Sequence, residues 1–483
     1  MMDGHAVHFS CNLDNAFLRC YNFIIMEKTL DKKLHIHFIG IGGINMSALA
    51  NFSLTRGHTV SGSDSKESEL TEELRAQGAT IYIGQRAENI SEDTDLVVYT
   101  AAIGDTNPEL MRARELGIET IPRAEFLGYV MKQYETAICV SGTHGKTTTT
   151  SLLSQILLDA DADPTIMVGG ILPSIGGNAR IGHSGSFIAE ACEYTNSFLS
   201  FFPTMAIILN VKEDHLDFFK DLDDIRASFK KFAQLLPDSG TLIINGEIEN
   251  LSYFTDDLNR RILTFGLDGD FDFTAKNITA NEYACDAFDV YDKEAMVCRI
   301  SLQIPGRHNV YNALAAIAAA SALELPLDQA AKSISSFRGV DRRFELKGVV
   351  NGFTIIDDYA HHPDEIRATL TAAKDYPHEK LWVIFQPHTY SRTKAFLDEF
   401  ADALSLADAV VLTDIYAARE QNVFGVSSED IRDRILAKGK DCYYFDSFEG
   451  AEKFLKENCA HGDVLITMGA GDVYLVGESL LRG

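Results

Sequence analysis

The sequence lacks long hydrophobic runs, paired cysteines and an excess of positive charge, and each shortage excludes a class of protein. No apolar run approaches the roughly 18 residues that span a bilayer, so we predict no membrane segment. The eight cysteines include no CxxC pair, and their scatter fits neither a zinc knuckle nor a small disulfide scaffold. We therefore expect reduced thiols in a cytoplasmic protein.

The charge balance is strongly acidic. Lys and Arg number 43 against 70 Asp and Glu, which gives a formal net charge of −27 and a pI of about 4.9. Such a surface repels DNA, RNA and anionic lipid, so any polyanion has to be bound at a local site. Neither nucleic acid nor a membrane is expected as a partner, and no obligate protein partner is predicted.

The length indicates several domains. At about 150 residues per domain, 483 residues imply about three. A content of 46% hydrophobic and 23% charged residues is ordinary for a globular protein. Residues 1–33 differ from the rest and lack the basic start and sustained apolar core of a signal peptide. They are either a tail or the result of an upstream start, with Met26 just before the first regular pattern.

The chain then alternates between strand and helix patterns. The first unit is predicted to contain strands at 34–39, 58–64, 95–100 and 117–121, with a helix at 45–56. A second unit begins near Tyr134, with strands at 136–140, 205–211 and 240–245, an antiparallel meander after Phe271 and a helix at 309–323. A third follows the polar stretch 337–343, with strands at 353–359 and in WVIFQP, AVVLTDIY and VLITMGAG. This alternation predicts an α/β fold with mostly parallel sheets.

A glycine turn after the first strand is the first candidate site. Gly40, Gly42 and Gly43 precede a helix, where bare backbone can approach a diphosphate, and Asp64 ends the next strand, where a ribose-binding carboxylate is expected. Asn45 occupies the place of the third glycine of the dinucleotide fingerprint. The pattern leaves a tight turn without a ligand, or a nicotinamide-dependent oxidoreductase, as alternatives.

A second strand–loop–helix unit carries the stronger motif, SGTHGKTTTT at 141–150. Successive N–H groups, a lysine and a hydroxyl residue are what a bound triphosphate and magnesium require. Lys146 is predicted to neutralise the β- and γ-phosphates and Thr147 to ligate the metal. Two residues separate Gly142 from Gly145, which is shorter than the usual P-loop spacing.

Carboxylates and an imidazole follow two other strands. Glu190 and Glu193 follow GSFIA, and the run Glu213 to Asp217, which includes His215, follows AIILNV. Magnesium takes oxygen ligands and keeps several waters, so one carboxylate together with substrate phosphates is sufficient. Glu190 is the favoured ligand, with His215 as a less usual second one.

Seven motifs together resemble the Mur ligase family. They are GTHGKTTTT, EACEYTNSF, LNVKEDHLD, GRHNVYNALAA, RRFE, DDYAHHP and FQPHTYSR, in the order in which that family carries them. The resemblance runs from about Leu34 to the C-terminus, and Asn45 departs from the family's usual glycine. It implies three domains: a Rossmann-like UDP-sugar domain at 34–135, a P-loop ATPase domain with a mostly parallel sheet at 136–340, and a Rossmann-like amino-acid domain at 341–483.

The resemblance also implies roles for individual residues. The UDP part of the sugar nucleotide would be held by Gly40, Gly42, Gly43 and Asp64. ATP and Mg²⁺ would be held by the loop Gly142, Thr143, His144, Gly145, Lys146, Thr147 and Thr148, by Glu190 and His215, and by His308, Asn309, Arg343 and Asp358. An L-alanine pocket would contain Tyr359, His361, His388 and Arg392, with His388 one turn from Arg392 if the helix has begun there. Lys146, Arg343 and His361 would be catalytic, and a modified lysine at Lys230 or Lys231 stays unassigned.

The reaction that the resemblance implies is ATP-dependent joining of L-alanine to the lactyl carboxylate of UDP-N-acetylmuramate through an acyl phosphate. A recycling ligase for murein peptides shares the ATPase core and is the nearest alternative. FQPHTYSR places a histidine and an arginine for a small amino acid, which argues against a tripeptide substrate. A nicotinamide-dependent oxidoreductase would leave the P-loop, Glu190 and His215 without a role.

Overall fold

The computed structural model describes residues 32–100, 103–216, 218–418 and 420–483. The chain divides into two compact units, one running up to Ala137 together with segments 179–181 and 200–202, and the other containing the rest. The predictions for residues 1–31, including the tail before Met26, and for Asp217 lie outside the described residues. No helix in the described ranges is long and apolar enough to cross a membrane.

The first unit contains a parallel sheet in the order β3-β2-β1-β4-β5. Its strands are β1 His35–Ile39, β2 Thr59–Asp64, β3 Thr80–Ile83, β4 Leu96–Tyr99 and β5 Glu119–Pro122. Its helices are α1 Ile44–Thr55, α2 Glu69–Ala76, α3 Pro108–Glu115 and α4 Arg123–Met131. The predicted glycine turn therefore lies at the carboxyl end of a central strand, which is where parallel α/β sheets bind ligands.

The second unit contains a ten-stranded sheet in the order β15-β14-β13-β12-β11-β10-β6-β9-β7-β8. Its strands are β6 Thr136–Ser141, β7 Thr165–Leu172, β8 Gly177–Arg180, β9 Ser186–Ala191, β10 Met205–Ile208, β11 Thr241–Asn245, β12 Arg261–Gly266, β13 Phe273–Ala280, β14 Cys285–Asp292 and β15 Ala295–Pro305. Strand β10 pairs in parallel with β6 and β11, whereas β13, β14 and β15 are antiparallel. The meander predicted after Phe271 is confirmed.

Helices cover this sheet and form its core with the inward side chains. They are α5 Lys146–Asp159, α6 Leu222–Ala233, α7 Ser252–Thr255, α8 His308–Ala322 and α9 Leu327–Ser336. Helix α8 packs against α5, and its alanines from Ala313 to Ala320 are fully buried. Small side chains let the two helices approach closely, so α8 supports the helix that follows the P-loop.

The same unit contains a six-stranded sheet in the order β16-β17-β21-β18-β19-β20. Its strands are β16 Glu345–Val350, β17 Phe353–Asp358, β18 Leu381–Phe385, β19 Ala409–Leu412, β20 Asp441–Tyr444 and β21 Val464–Met468. Its helices are α10 Pro363–Asp375, α11 Tyr390–Ala395, α12 Leu397–Leu404, α13 Ser428–Ala437, α14 Phe448–Asn458 and α15 Tyr474–Arg482. Only the pairing of β16 with β17 is antiparallel among these strands.

The α/β prediction with mostly parallel sheets is confirmed, and the differences are local. The strand predicted over 205–211 ends at Ile208, because Asn210 turns its side chain to the backbone of His144. The alanine-lined helix begins one residue early, at His308. The domain boundaries at 135/136 and 340/341 stay a prediction.

Candidate active site

The P-loop joins β6 to α5 through residues 142–145. Gly145 has φ of +86°, and a Cβ atom there would lie 2.5 Å from Oδ1 of Asn312. Both facts require glycine at this position. The loop then opens α5 at Lys146, so the unpaired N–H groups of the helix N-terminus lie where a phosphate is expected.

Lys146 is held inside the loop by a carboxylate. Its Nζ donates to the carbonyl oxygens of Gly142 (2.5 Å) and Thr143 (3.1 Å) and to Oε2 of Glu193 (3.0 Å). The side chains of Lys146 and Glu193 are 16% and 2% exposed. Burial by itself lowers the pKa of Lys146, but the charge of Glu193, its hydrogen bond to Lys146 and the nearby Cys192 and Glu190 together raise that pKa above its usual value. The ammonium is therefore charged at neutral pH.

Glu190 lies beside the first turn of α5. Its Oε2 accepts from Oγ1 of Thr147 at 3.2 Å and its Oε1 accepts from the N–H of Gly169 at 2.6 Å. A Cβ on Gly169 would come within 2.8 Å of the carboxylate, so the glycine lets the strand pass close to it. A carboxylate and a hydroxyl in contact form a pair of hard oxygen donors, which is the chemistry that Mg²⁺ prefers.

His215 lies in a strained turn next to this loop. Its φ is +52°, and its ring stacks on Tyr194 with 4.4 Å between centroids. Its N–H donates to Oδ1 of Asp214 at 2.7 Å. Burial lowers the pKa of His215, partly opposed by Asp214 and Glu193, so the imidazole is neutral and keeps a lone pair for a metal.

A cavity of about 570 Å³ opens beside the P-loop. Its lining includes many of the residues predicted to bind ATP, namely His144, Gly145, Thr147, Thr148, His308, Asn309, Arg343 and Asp358. Residues that the sequence interpretation did not single out also line it, among them Asn245, Glu247, Tyr311 and Asn312. The volume lies within the usual range for small-molecule sites.

The carboxylate of Asp358 links the RRFE segment to the loop that follows β17. Its Oδ2 accepts from the N–H of Phe344 and its Oδ1 from the N–H of Ala360, both at 2.8 Å. Burial raises the pKa of Asp358 to about 6, although the charge of Arg343 and the two N–H donors oppose the rise. The guanidinium of Arg343 lies 5.3 Å from the ring centroid of Tyr359, so Arg343 and Tyr359 are brought together.

Glu365 was missed by the sequence interpretation and joins several predicted site residues. Its carboxylate accepts from the backbone N–H of His361 at 3.1 Å and lies 3.4 Å from Nδ1 of His144 and 4.0 Å from Arg343. Burial opposes its charge, but His361, His144 and Arg343 together hold the pKa of Glu365 well below its usual value. The sequence signal for Glu365 was its position four residues, or one helical turn, after His361. The residues around it in the sequence did not indicate its contacts with His144 and Arg343.

His361 is a neutral imidazole with a defined tautomer. Its Nδ1 is 3.0 Å from the carbonyl oxygen of Tyr359, and since a carbonyl only accepts, Nδ1 carries the proton. Burial lowers the pKa of His361 to about 4. The lone pair therefore resides on Nε2, so His361 can accept a hydrogen bond there.

Arg392 and His388 come together in a different way from the one expected. Helix α11 begins at Tyr390, so His388 precedes the helix and does not lie one turn back within it. Nη1 of Arg392 is nevertheless 3.4 Å from Nδ1 of His388, whose ring stacks on Tyr416. Nη2 donates to Oδ1 of Asp214 at 3.1 Å. Sequence reasoning gave Asp214 no role, although it directly precedes His215.

The glycine turn of the first unit is built around Asp64. Oδ2 of Asp64 accepts from the N–H of Gly42 at 2.9 Å, and Oδ1 accepts from the N–H of Ser65 at 2.7 Å. A Cβ on Gly42 would come within 2.9 Å of Oδ2, so close approach requires glycine there. Gly43 caps α1 without a side-chain bond, and Gly40 donates to the carbonyl of Ser63.

The two lysines left unassigned differ in their surroundings. Nζ of Lys230 donates to Asp257 at 2.7 Å and lies 4.6 Å from the ring centroid of Tyr253. Lys231 is exposed. Neither lysine lines the cavity beside the P-loop, and both stay unassigned.

Family models match three successive parts of the chain. The model described as Mur ligase family, catalytic domain matches residues 35–135, Mur ligase middle domain matches 140–320, and Mur ligase, glutamate ligase domain matches 342–471. A UDP-N-acetylmuramate–L-alanine ligase from Lachnospira eligens is 57% identical over 450 residues, which are 93% of this chain and 98% of that protein. The chain belongs to the Mur ligase family.

More distant relatives cover the chain equally well. A UDP-N-acetylmuramate–L-alanine ligase from Caldanaerobacter subterraneus subsp. tengcongensis is 51% identical over 457 residues, covering 95% of this chain and 99% of that one. The solved UDP-N-acetylmuramate–alanine ligase from Thermotoga maritima is 33% identical with a TM-score of 0.80, covering 93% and 98% of the two chains. A murein peptide ligase from Psychrobacter arcticus is 27% identical with a TM-score of 0.72 over the same shares.

Proposed function

We propose that this chain is an ATP-dependent ligase that joins L-alanine to the lactyl carboxylate of UDP-N-acetylmuramate in peptidoglycan precursor synthesis. The reaction is the one named for relatives that are 57% and 51% identical over nearly the whole chain. The observation that carries the proposal is the charged Lys146 inside a P-loop that borders a cavity of about 570 Å³. ADP and phosphate are the other products.

The donor groups of the site fit ATP and Mg²⁺. The loop supplies backbone N–H groups and a charged Lys146 for phosphates. Glu190 and Thr147 supply oxygen ligands in contact with each other, and His215 supplies a neutral imidazole. When bound, Mg²⁺ would neutralise phosphate charge. His308, Asn309 and the rest of the lining then belong to the nucleotide site.

The chemistry requires the lactyl carboxylate to be activated, because oxide is a poor leaving group. One carboxylate oxygen attacks the γ-phosphorus of ATP, the bond to ADP breaks, and an acyl phosphate forms. Lys146 and Arg343 supply positive charge to the transferring group, which is where most catalysis of phosphoryl transfer resides. Exclusion of water from the site during the reaction would protect the acyl phosphate from hydrolysis.

The second half-reaction needs an unprotonated amine. The alanine nitrogen attacks the acyl carbon, the tetrahedral intermediate expels phosphate, and the nitrogen loses protons as the amide forms. His361 is neutral at physiological pH and its Nε2 keeps the lone pair, so it can accept a hydrogen bond from the attacking amine, although a pKa of about 4 makes it a weak base. Tyr359 and His388 complete the proposed alanine pocket, where Arg392 offers a guanidinium fork to the carboxylate.

The first unit is assigned to the sugar nucleotide. Gly40, Gly42 and Gly43 lie at the carboxyl end of β1, where a diphosphate meets bare backbone and the start of a helix. Asp64 fixes that turn. We assign residues 34–135 to the UDP-sugar, 136–340 to ATP and 341–483 to the amino acid.

A murein peptide ligase is the second candidate, and it is less supported. The solved example from Psychrobacter arcticus has the same fold at 27% identity, against 57% for the alanine-adding relative. An arginine and a histidine in contact suit a small zwitterion.

Phosphate release from ATP tests the choice. The protein is incubated with UDP-N-acetylmuramate, with and without L-alanine or the tripeptide L-alanyl-γ-D-glutamyl-meso-diaminopimelate. We expect sustained release with L-alanine and a matching yield of the alanylated sugar nucleotide. Release that requires the tripeptide instead would favour the recycling ligase, and release that ignores both acceptors would contradict ligation.

A further inference from the structure

We propose that Asp214 is a positioning residue for amino-acid recognition: it orients the guanidinium of Arg392 towards the alanine carboxylate and ties it to the loop of His215. The inference rests on the proposed function, because it takes Arg392 as the residue that binds alanine. It assigns a role to a carboxylate that neither the motif interpretation nor the nucleotide cavity explains.

Asp214 bridges two segments that are far apart in the sequence. Its Oδ1 accepts from Nη2 of Arg392 at 3.1 Å and from the backbone N–H of His215 at 2.7 Å. The side chains of Asp214 and Arg392 are 9% and 10% exposed. Both side chains are largely removed from water. The carboxylate of Asp214 therefore orients the guanidinium of Arg392 more strongly than solvent does.

The contact leaves Arg392 able to bind a second carboxylate. A guanidinium has five N–H donors in a planar fork, and Asp214 receives only one bond, from Nη2. If Asp214 occupied the place of the alanine carboxylate, it would be expected to accept two parallel hydrogen bonds from the guanidinium of Arg392. The observed end-on contact instead holds the plane of the guanidinium, assisted by His388 next to Nη1.

The same carboxylate couples two parts of the site. Oδ1 of Asp214 fixes the N–H of His215, which is the candidate metal ligand, and also fixes Arg392. A shift of the His215 loop would therefore move the guanidinium. Asp214 can in this way make amino-acid recognition depend on the arrangement of the nucleotide-binding loop.

Asp214→Asn is the informative variant, since asparagine keeps an oxygen that can accept from His215 and Arg392 but removes the charge. We expect the KM for L-alanine to rise about tenfold or more, because the hydrogen bond to the guanidinium of Arg392 loses its negative partner. The KM values for ATP and UDP-N-acetylmuramate should stay within about twofold. The matched control is Asp402→Asn, which breaks the exposed pair of Asp402 with Lys438 (side chains 53% and 41% exposed), lies outside the cavity lining and should change each KM by less than about twofold.

A double-mutant cycle separates positioning from a general structural role. If Asp214 acts through Arg392, the effect of Asp214→Asn on the KM for alanine disappears in an Arg392→Ala background. Asp214→Glu keeps the charge and should retain part of the alanine affinity, which gives a reading even if the asparagine variant folds poorly. An equal rise in all three KM values, a fall in the KM for alanine, or a full effect in the Arg392→Ala background would overturn the proposal. Wild-type protein that shows no alanine-dependent phosphate release would instead refute the proposed function.

Discussion

Replacing Lys146 by methionine should damage both the catalysis and the stability of this protein, and a second substitution should separate the two. Methionine keeps most of the volume but removes the ammonium that Glu193 faces at 3.0 Å. The Glu193 side chain is 2% exposed, so its carboxylate would be left buried opposite an apolar group. Such an uncompensated charge costs about 3–5 kcal/mol.

The loss of stability can be measured as a shift of the melting temperature. At roughly 2–4 °C per kcal/mol for a domain of 150–250 residues, Lys146→Met should lower the thermal midpoint by about 6–20 °C. Lys146→Met/Glu193→Gln removes both charges and should recover all but about 1 kcal/mol, because a neutral buried pair avoids the desolvation cost. Phosphoryl transfer should fall by about 10³ or more in both variants, since each lacks the cation at the transferring group.

Differential scanning calorimetry and single-turnover phosphate release measure the two properties on the same samples. Glu193→Gln alone is the matched control, because it leaves the ammonium without its anion. If Lys146→Met were as stable as the wild type, the buried carboxylate of Glu193 would not need the charge of Lys146 for its stability. Recovery of activity in the double variant would show that the lysine is not the phosphoryl-transfer cation.

Three further predictions concern metal binding, amino-acid recognition and pH. Glu190→Gln should lower the rate and raise the magnesium concentration needed for half-maximal activity, because ligand charge sets affinity; an unchanged magnesium titration would indicate a structural role. Arg392→Ala should reduce kcat/KM for alanine about 10- to 150-fold, with the KM for ATP little changed; equal losses for all substrates would indicate a folding defect. The pKa of His361 is lowered to about 4, so its contribution to stability is complete above the unfolded value near 6.5 and is lost as pH falls towards 4. As pH falls from 7 to 5, the free energy of unfolding should therefore decrease by up to about 2 kcal/mol less in His361→Gln than in the wild type, as measured by urea unfolding.

Local motifs could be predicted from the sequence because their geometry is set by neighbouring residues. The glycine at position 145 is required by a positive φ and by the close approach of Asn312, and only the former has a local signature. The turn around Gly42 likewise follows from a strand, glycines and a helix start. Strands β7, β8 and β16 were among those not predicted, since weak or interrupted alternation does not distinguish a strand at or near a sheet edge from a loop.

The partners of the site residues could not be predicted, because they come from distant parts of the chain. Asp214 and Arg392 are 178 positions apart, and Glu365 and His144 are 221 positions apart. Charged residues are common on any surface, so a carboxylate next to a motif has no distinctive signal until the fold shows what it contacts. Glu193 was visible in the motif, but its pairing with Lys146 depends on how β9 and the P-loop lie in the sheet.

Transfer of an oxygen isotope from the sugar nucleotide to phosphate shows whether the reaction passes through an acyl phosphate. UDP-N-acetylmuramate carrying ¹⁸O in both oxygens of the lactyl carboxylate is incubated with the protein, ATP and L-alanine, and the released phosphate is analysed by mass spectrometry. We expect one ¹⁸O atom in each phosphate, because the carboxylate oxygen that attacks phosphorus leaves with it when the amine attacks the acyl carbon. Unlabelled phosphate alongside the alanylated product, or label found in AMP, would contradict the acyl-phosphate route.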